Sequence, residues 1–185
     1  ESGEVGAVLI NCYETTEQVR AQALQAERDR LLDELQVERA RLEYVFKQAP
    51  AFLAVLRGPE HTFELANDAY FQLVGHREIL GKPVREALPE VVRQGFVELL
   101  DRVLGTGEPF IGREQAIHLA RTPGAPPEER FVDFSYLPLL EADGTRSGII
   151  AHGTDVTDQV LARREVERLL AAAEAGRAEA EAARA

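Results

Sequence analysis

The sequence predicts an α+β protein: a five-stranded antiparallel sheet with short helices on one face, carried between two long helices. Three observations lead there. Residues 17–48 contain no Pro and no Gly and are rich in Glu, Arg, Leu, Ala and Gln, which favour helix intrinsically. Residues 50–156 read as two strand-type runs, then helical segments, then three strand-type runs joined by hairpin-type loops. Residues 157–185 return to helix-forming composition.

Composition narrows the function. At 185 residues the chain holds one domain of ordinary size with some length to spare, and 45% hydrophobic residues predict a folded, soluble chain. A formal net charge of -11 repels phosphate backbones, so no nucleic-acid partner is expected. No apolar run approaches the length that spans a bilayer, and no direct membrane contact is expected. The opening ESGEVGAVLINCYE has no basic flank and does not read as a signal peptide. With no Met anywhere, the chain reads as a piece of something longer. The single cysteine, Cys12, has no internal disulfide partner, which fits a reducing, cytoplasmic compartment.

The ends echo each other. Ser147–Ala162 reads SGIIAHGTDVTDQVLA and Gly6–Ala21 reads GAVLINCYETTEQVRA, an offset of 141 residues. Each copy is an apolar strand-type run, a polar turn and a helix start. Thr or an acidic residue at the junction can cap that helix, whose first amides lack partners. Internal similarity suggests a repeated unit. Residues 1–16 are therefore expected to be the last strand and junction of an upstream domain, with an ordinary N-terminal strand of the main sheet as the alternative. At the two junctions the candidate residues are Glu14 and Thr16, and Asp155 and Thr157.

Residues 17–49 form the connecting segment. Its helix would be about 48 Å long, which suggests a coiled coil. In one heptad frame Leu24, Leu31 and Val45 take d, and Leu35 and Leu42 take a, while Arg28 and Glu38 interrupt the seam. The other reading is a solvated helix with one apolar edge on its own domain.

The body follows in order. Phe52–Arg57 and HTFELAN are strands, separated by the Gly58-Pro59 turn. Asn67 caps the short helix DAYFQLVG. Short turns and helices follow, broken by Gly81, Pro83 and Pro89. Val92, Phe96, Leu99, Leu100 and Val103 lie at helical spacing over 91–104. PFIGREQAIHL is a strand, and Gly124, Pro126 and Pro127 mark a solvent loop. In RFVDFSYLPLLE, Val132, Phe134 and Tyr136 face one way while Asp133 and Ser135 face the other. ADGT is a tight turn, and RSGIIAHGTD is the last strand. The final helix, 157–185, loses its apolar seam after Leu170 and is weakened by Gly176, so its end is expected to fray.

These residues resemble the PAS domain of bacterial sensor proteins. The stretch 46–90 looks like the first half of that domain, with APAFLAVL, Asn67–Tyr70, Gly75 and the turn Leu80-Gly81-Lys82-Pro83. RFVDFSYLPLLEADGTRSGIIAHGTDVTDQ looks like the second half, with Pro138, Asp143-Gly144, Gly148 and the Asp-x-Thr signature at Asp155-Val156-Thr157. The resemblance covers residues 50–156. In the first copy Glu14 stands where the family usually has Asp. It implies a five-stranded antiparallel sheet flanked by small helices, and commonly a dimer inside a histidine kinase, a cyclic-dinucleotide enzyme or a phosphatase. Asp155 and Thr157 would correspond to the family's junction residues.

The resemblance also frames the search for ligands. The family's flavin photoreceptor branch needs a cysteine at the position of Val84, so chemistry through a cysteinyl adduct is excluded. Of the four histidines, His61, His76, His118 and His152, none lies on the helix that holds the axial ligand in the best-known haem branch. His and Cys are too scattered for a metal site. No nucleophile motif or phosphate loop is visible. No cofactor, metal or catalytic residue is expected, and large aromatics are expected to fill the core. The resulting expectation is a non-catalytic sensory, relay and dimerisation module, with a parallel homodimer and the parent's neighbouring domains as partners. The alternatives are a receptor for a small molecule or a module of a cyclic-dinucleotide enzyme.

Overall fold

The computed structural model describes the backbone of residues 2–122 and 125–182, and side chains within 18–122 and 125–177. The chain divides into two units, Glu1–Val45 and Phe46–Ala185.

The first unit lies in helix α1, which spans Ser2–Gln48. Exposed Arg30–Glu34 and Arg39–Glu43 pairs at i,i+4 support its surface. The strand expected near the N-terminus is a correction, because the backbone is already helical from Ser2. A strand needs a neighbouring strand for its amides and carbonyls, whereas a helix pairs them within the segment. Glu1 lies outside the described residues.

The second unit holds one five-stranded antiparallel sheet, as the sequence predicts. Its strands are β1 (Phe52–Arg57), β2 (Thr62–Ala66), β3 (Phe110–Leu119), β4 (Glu128–Leu140) and β5 (Arg146–Asp155), in the order β2-β1-β5-β4-β3. The last three strands form successive hairpins, while β1 pairs with both β2 and β5. Between β2 and β3 lie α2 (Asp68–Val74), α3 (Val84–Ala87), α4 (Pro89–Val92) and α5 (Phe96–Thr106). Helix α6 (Thr157–Ala182) continues from β5, passing through Gly176.

Period-2 alternation decides which face is covered. Phe52, Ala54 and Leu56 on β1, Val132 and Phe134 on β4, and Ile149 on β5 are buried in one core, and buried Ala151 of β5 lines the cavity within it. Val97, Leu100 and Val103 of α5 close that core, with Phe63, Val74 and Ile79. Phe134 sits in a chain of aromatic contacts with Phe96, Phe110 and Tyr136, at centroid separations of 5.6, 5.6 and 4.9 Å.

The helix expected over 91–104 is broken. Gly95 takes φ +84° and starts α5, so α4 and α5 are separate elements. Gly tolerates the left-handed region without steric cost, which an uninterrupted apolar periodicity does not reveal. Gln94 uses the break: its side-chain amide accepts from the His118 amide and donates to the His118 carbonyl, at 2.8 and 2.9 Å. It thereby pairs part of the exposed edge of β3. On the opposite edge, Phe63 of β2 bonds with Gly81 and Lys82.

Candidate functional site

The β5–α6 junction is built from a very short chain segment. β5 ends at Asp155, α6 begins at Thr157, and only Val156 stands between them. The Asp155 Oδ1 accepts the Thr157 amide at 2.9 Å and also bonds the Thr157 hydroxyl. Thr157 Oγ1 in turn accepts the Phe131 amide of β4 at 2.9 Å. The Val156 amide donates to the Phe131 carbonyl at 2.8 Å, so the crossover continues the sheet's pairing for one more residue. Of the two residues that could cap the helix, Asp155 caps it, and Thr157 ties it to β4. A carboxylate two residues ahead reaches the first free helical amide, which leaves the threonine oxygen for the neighbouring strand.

Packing reinforces the junction. Val156 and Val160 pack with Phe131 and Ala116 on the sheet face opposite the main core. The Arg164 guanidinium lies 4.5 Å from the Phe131 ring centroid. Arg163 forms a two-pronged pair with Glu114 at 2.7 and 2.6 Å. Glu114 sits at φ +46° where the β3–β4 register shifts, and its amide donates to Asp133 at 2.6 Å. Its hydrogen bond with Arg163 holds the Glu114 carboxyl below its ordinary value. Arg130 Nη1 reaches Asp155 Oδ2 at 3.4 Å, and its Nη2 reaches Glu128 at 3.1 Å.

At the same end of the sheet, where Phe52 at the start of β1 pairs with Gly153 near the end of β5, Asn67 is a hub. It is fully buried, and its side chain is fully bonded. Oδ1 accepts from Leu53 at 2.9 Å and Tyr70 at 3.0 Å, while Nδ2 donates to Ala51 at 2.8 Å and Phe46 at 3.2 Å. One side chain thus joins the last turn of α1, the start of β1 and the start of α2. Its capping role was legible in the sequence. Its bonds to residues 14 to 21 positions earlier were not.

The core cavity lies between α5 and the sheet and measures about 40 Å³. Tyr70 and Tyr136 line it among aliphatic side chains and Phe96, and burial pushes both phenols above their ordinary value. Small-molecule sites typically need about 300 Å³ or more. The space holds a few waters at most, so a flavin or haem does not fit this packing. The expectation of a near-filled core agrees with this volume.

Other candidates fall in separate places. His61 is buried in the β1–β2 turn, and its Nε2 lies 2.7 Å from Asp101 on α5. His118 and His152 lie in β3 and β5. Among the described residues no group of three or more His, Cys, Asp or Glu could hold a metal. Nor is any helix among them long and apolar enough to cross a membrane. Leu24, Leu31, Leu35, Leu42 and Val45 are all exposed on α1. Glu14 and Thr16 lie inside α1, not at a strand end, and their side chains lie outside the described residues. The structure therefore brings Asp155 and Thr157 together and gives Glu14 and Thr16 no equivalent junction.

An antiparallel sheet of order β2-β1-β5-β4-β3, with all intervening helices after β2 and a helix leaving its central strand directly, defines the class of domain. The chain belongs to the PAS fold family, whose model matches residues 46–161. Among solved structures it is similar to an RNA-binding light-oxygen-voltage receptor, with 19% identity and a TM-score of 0.54, covering 74% of this chain and 37% of that one. It is also similar to a VqmA dimer from Vibrio cholerae, with 22% identity and a TM-score of 0.51, covering 65% of this chain and 52% of that one. A third is a PAS domain from Colwellia psychrerythraea, with 16% identity and a TM-score of 0.50, covering 67% of this chain and 98% of that one. The chain spans about a third to a half of the length of the first two of these structures. At such identities the likeness concerns the fold.

Proposed function

We propose that this chain is a non-catalytic sensory and relay module of a bacterial signal-transduction protein, of the histidine-kinase type. It passes conformational change between its flanking helices and pairs with itself. The observation that carries this reading is the junction itself: one residue separates β5 from α6, and Asp155, Thr157 and Phe131 bond across it. A shift in β5 has no slack in which to dissipate before reaching the helix. The fully bonded Asn67 supplies a comparably stiff attachment for the last turn of α1.

The exposed apolar residues Leu24, Leu31, Leu35, Leu42 and Val45 recur along α1 at coiled-coil spacing, which supports a seam with a second copy in parallel. Residues 1–16 would then continue from an upstream PAS domain of the parent, and an output domain would follow α6. The net charge of -11 argues against transferring RNA contact from the light-oxygen-voltage receptor to this chain.

Hydrogen exchange tests the relay. Asp155→Ala removes the cap and the Arg130 partner together. Exchange over residues 157–164 should accelerate at least tenfold while the centre of the sheet stays protected. Unchanged exchange in that turn would show that the junction does not stiffen α6, and the relay reading would fail.

A further inference from the structure

A second cavity lies outside the core. The start of β1, the outer side of α2, Arg121 just past β3, Arg130 on β4 and the β5–α6 junction enclose an open cleft of about 450 Å³. That size falls in the range of small-molecule sites, unlike the core cavity. Pro50, Phe52 and Leu73 give it an apolar wall, and Arg121, Arg130 and Asp155 give it charge.

Arg121 is under-used where it stands. Nη2 donates to the Gln72 carbonyl at 3.0 Å, and Nε is buried without a partner. Among the described residues no carboxylate forms a salt bridge with it, although acidic residues outnumber basic ones 32 to 21. A guanidinium offers five donors, and a buried donor without an acceptor is costly enough to need an explanation. The backbone behind it is fixed: a Cβ on Gly75 would stand 1.8 Å from the Arg121 carbonyl oxygen. Arg130 also has capacity to exchange. Its bond to Asp155 Oδ2 is long at 3.4 Å, while Oδ1 of the same carboxylate is committed to Thr157.

We propose that this cleft binds a small organic anion, whose carboxylate or phosphate head is held by Arg121 and Arg130 and whose apolar body lies on Phe52 and Leu73. Guanidinium groups suit such heads because their planar forks match two oxygens at once. The head competes with Asp155 Oδ2 for Arg130 and leaves the Oδ1 bonds to Thr157 in place. Binding therefore changes the charge environment of the residue that caps α6. The site shares Leu73 with the core cavity but none of its other lining residues, and its existence does not depend on the relay reading.

Calorimetric titration of the full chain at fixed ionic strength tests this, with phenyl phosphate and phenylacetate as anionic probes and benzyl alcohol as the neutral one. At least one anionic probe should bind saturably and benzyl alcohol should not. Arg121→Gln should weaken binding at least tenfold, and Arg121→Lys, which keeps the charge and loses the fork, by a smaller factor. Leu100→Ala, which enlarges the core cavity only, should bind as the parent does. Circular dichroism melts of each variant confirm folding. Absence of saturable anion binding, equal binding by benzyl alcohol, or Arg121→Gln and Arg121→Lys proteins that melt normally and bind as tightly as the parent would each overturn the proposal.

Discussion

The Thr157 hydroxyl oxygen accepts the Phe131 amide at 2.9 Å, so the first residue of α6 occupies a hydrogen-bonding position on β4. Thr157 is buried, and the bond joins two elements separated by 26 positions in sequence. Thr157→Val keeps the shape and removes the oxygen. The Phe131 amide is then stranded, at a cost of about 1–3 kcal/mol. Thermal melts should show that loss, and Thr157→Ser should recover most of it. A serine variant as unstable as the valine variant would mean that the methyl group, not the oxygen, matters here.

Asn67 should be the most sensitive polar residue of the sheet domain. Asn67→Ala strands the amides of Leu53 and Tyr70 and the carbonyl of Ala51. A loss of about 3 kcal/mol or more follows in urea unfolding. Asn67→Asp keeps both acceptor bonds and loses the two donated ones, and should fall between the parent and the alanine variant.

Gly75 should tolerate no side chain. It sits at φ +79°, and a Cβ there meets the Arg121 carbonyl oxygen at 1.8 Å. Backbone strain and the clash act together, so Gly75→Ala should cost about 3 kcal/mol or more. Gly81 also has positive φ but open space around it, so Gly81→Ala should cost only the conformational part, about 1–2 kcal/mol. The two melts compared directly measure the contribution of the close approach.

Acid should weaken the Arg77–Glu90 clamp. Both side chains are largely buried, and Glu90 also accepts the Ala120 amide at 3.1 Å. Burial pushes the Glu90 carboxyl up, but the Arg77 hydrogen bond and the backbone amides outweigh it and hold the carboxyl below the ordinary glutamate value. A carboxylate depressed in the folded state contributes stability above its unfolded pKa and loses it as pH falls through the folded one. Stability should therefore drop below about pH 4.5, and Glu90→Gln should be less stable at neutral pH but fall less steeply in acid. Parallel acid limbs in urea unfolding would contradict this.

Leu35→Glu combined with Leu42→Glu should weaken self-association. Both residues are exposed on α1, and both occupy a positions in the heptad frame. Sedimentation equilibrium should show a shift toward monomer while the melt of the sheet domain is unchanged. A double variant that sediments like the parent would place the contact elsewhere.

Much of the fold was readable because it rests on local patterns. The alternation of Val132, Phe134 and Tyr136 against Asp133 and Ser135 marks a half-covered strand wherever it occurs. Asn67 caps α2 where the sequence places it, and the helix ends one residue before the expected DAYFQLVG does, with Gly75 as its left-handed cap. The split between α4 and α5 was not readable, because Gly95 lies inside an apolar period that continues across it. The N-terminal strand was misread because GAVLIN carries strand propensity, while its conformation depends on whether a sheet edge is available.

The candidate sites divide in the same way. Asp155-Val156-Thr157 announces a junction by composition and spacing, which is local information. That Thr157 binds Phe131, that Arg163 meets Glu114 across 49 positions, and that Arg121 and Arg130 line one cleft are consequences of strand register and hairpin closure. By itself the sequence determined the five strands of the sheet, the facing of β4 and the capped starts of α2 and α6, since hydrophobic period and capping chemistry act over a few residues. Only the tertiary structure decided which donors find which acceptors and how little space the core keeps. Those outcomes depend on distances between segments far apart along the chain, and packing at near-crystalline density sets them.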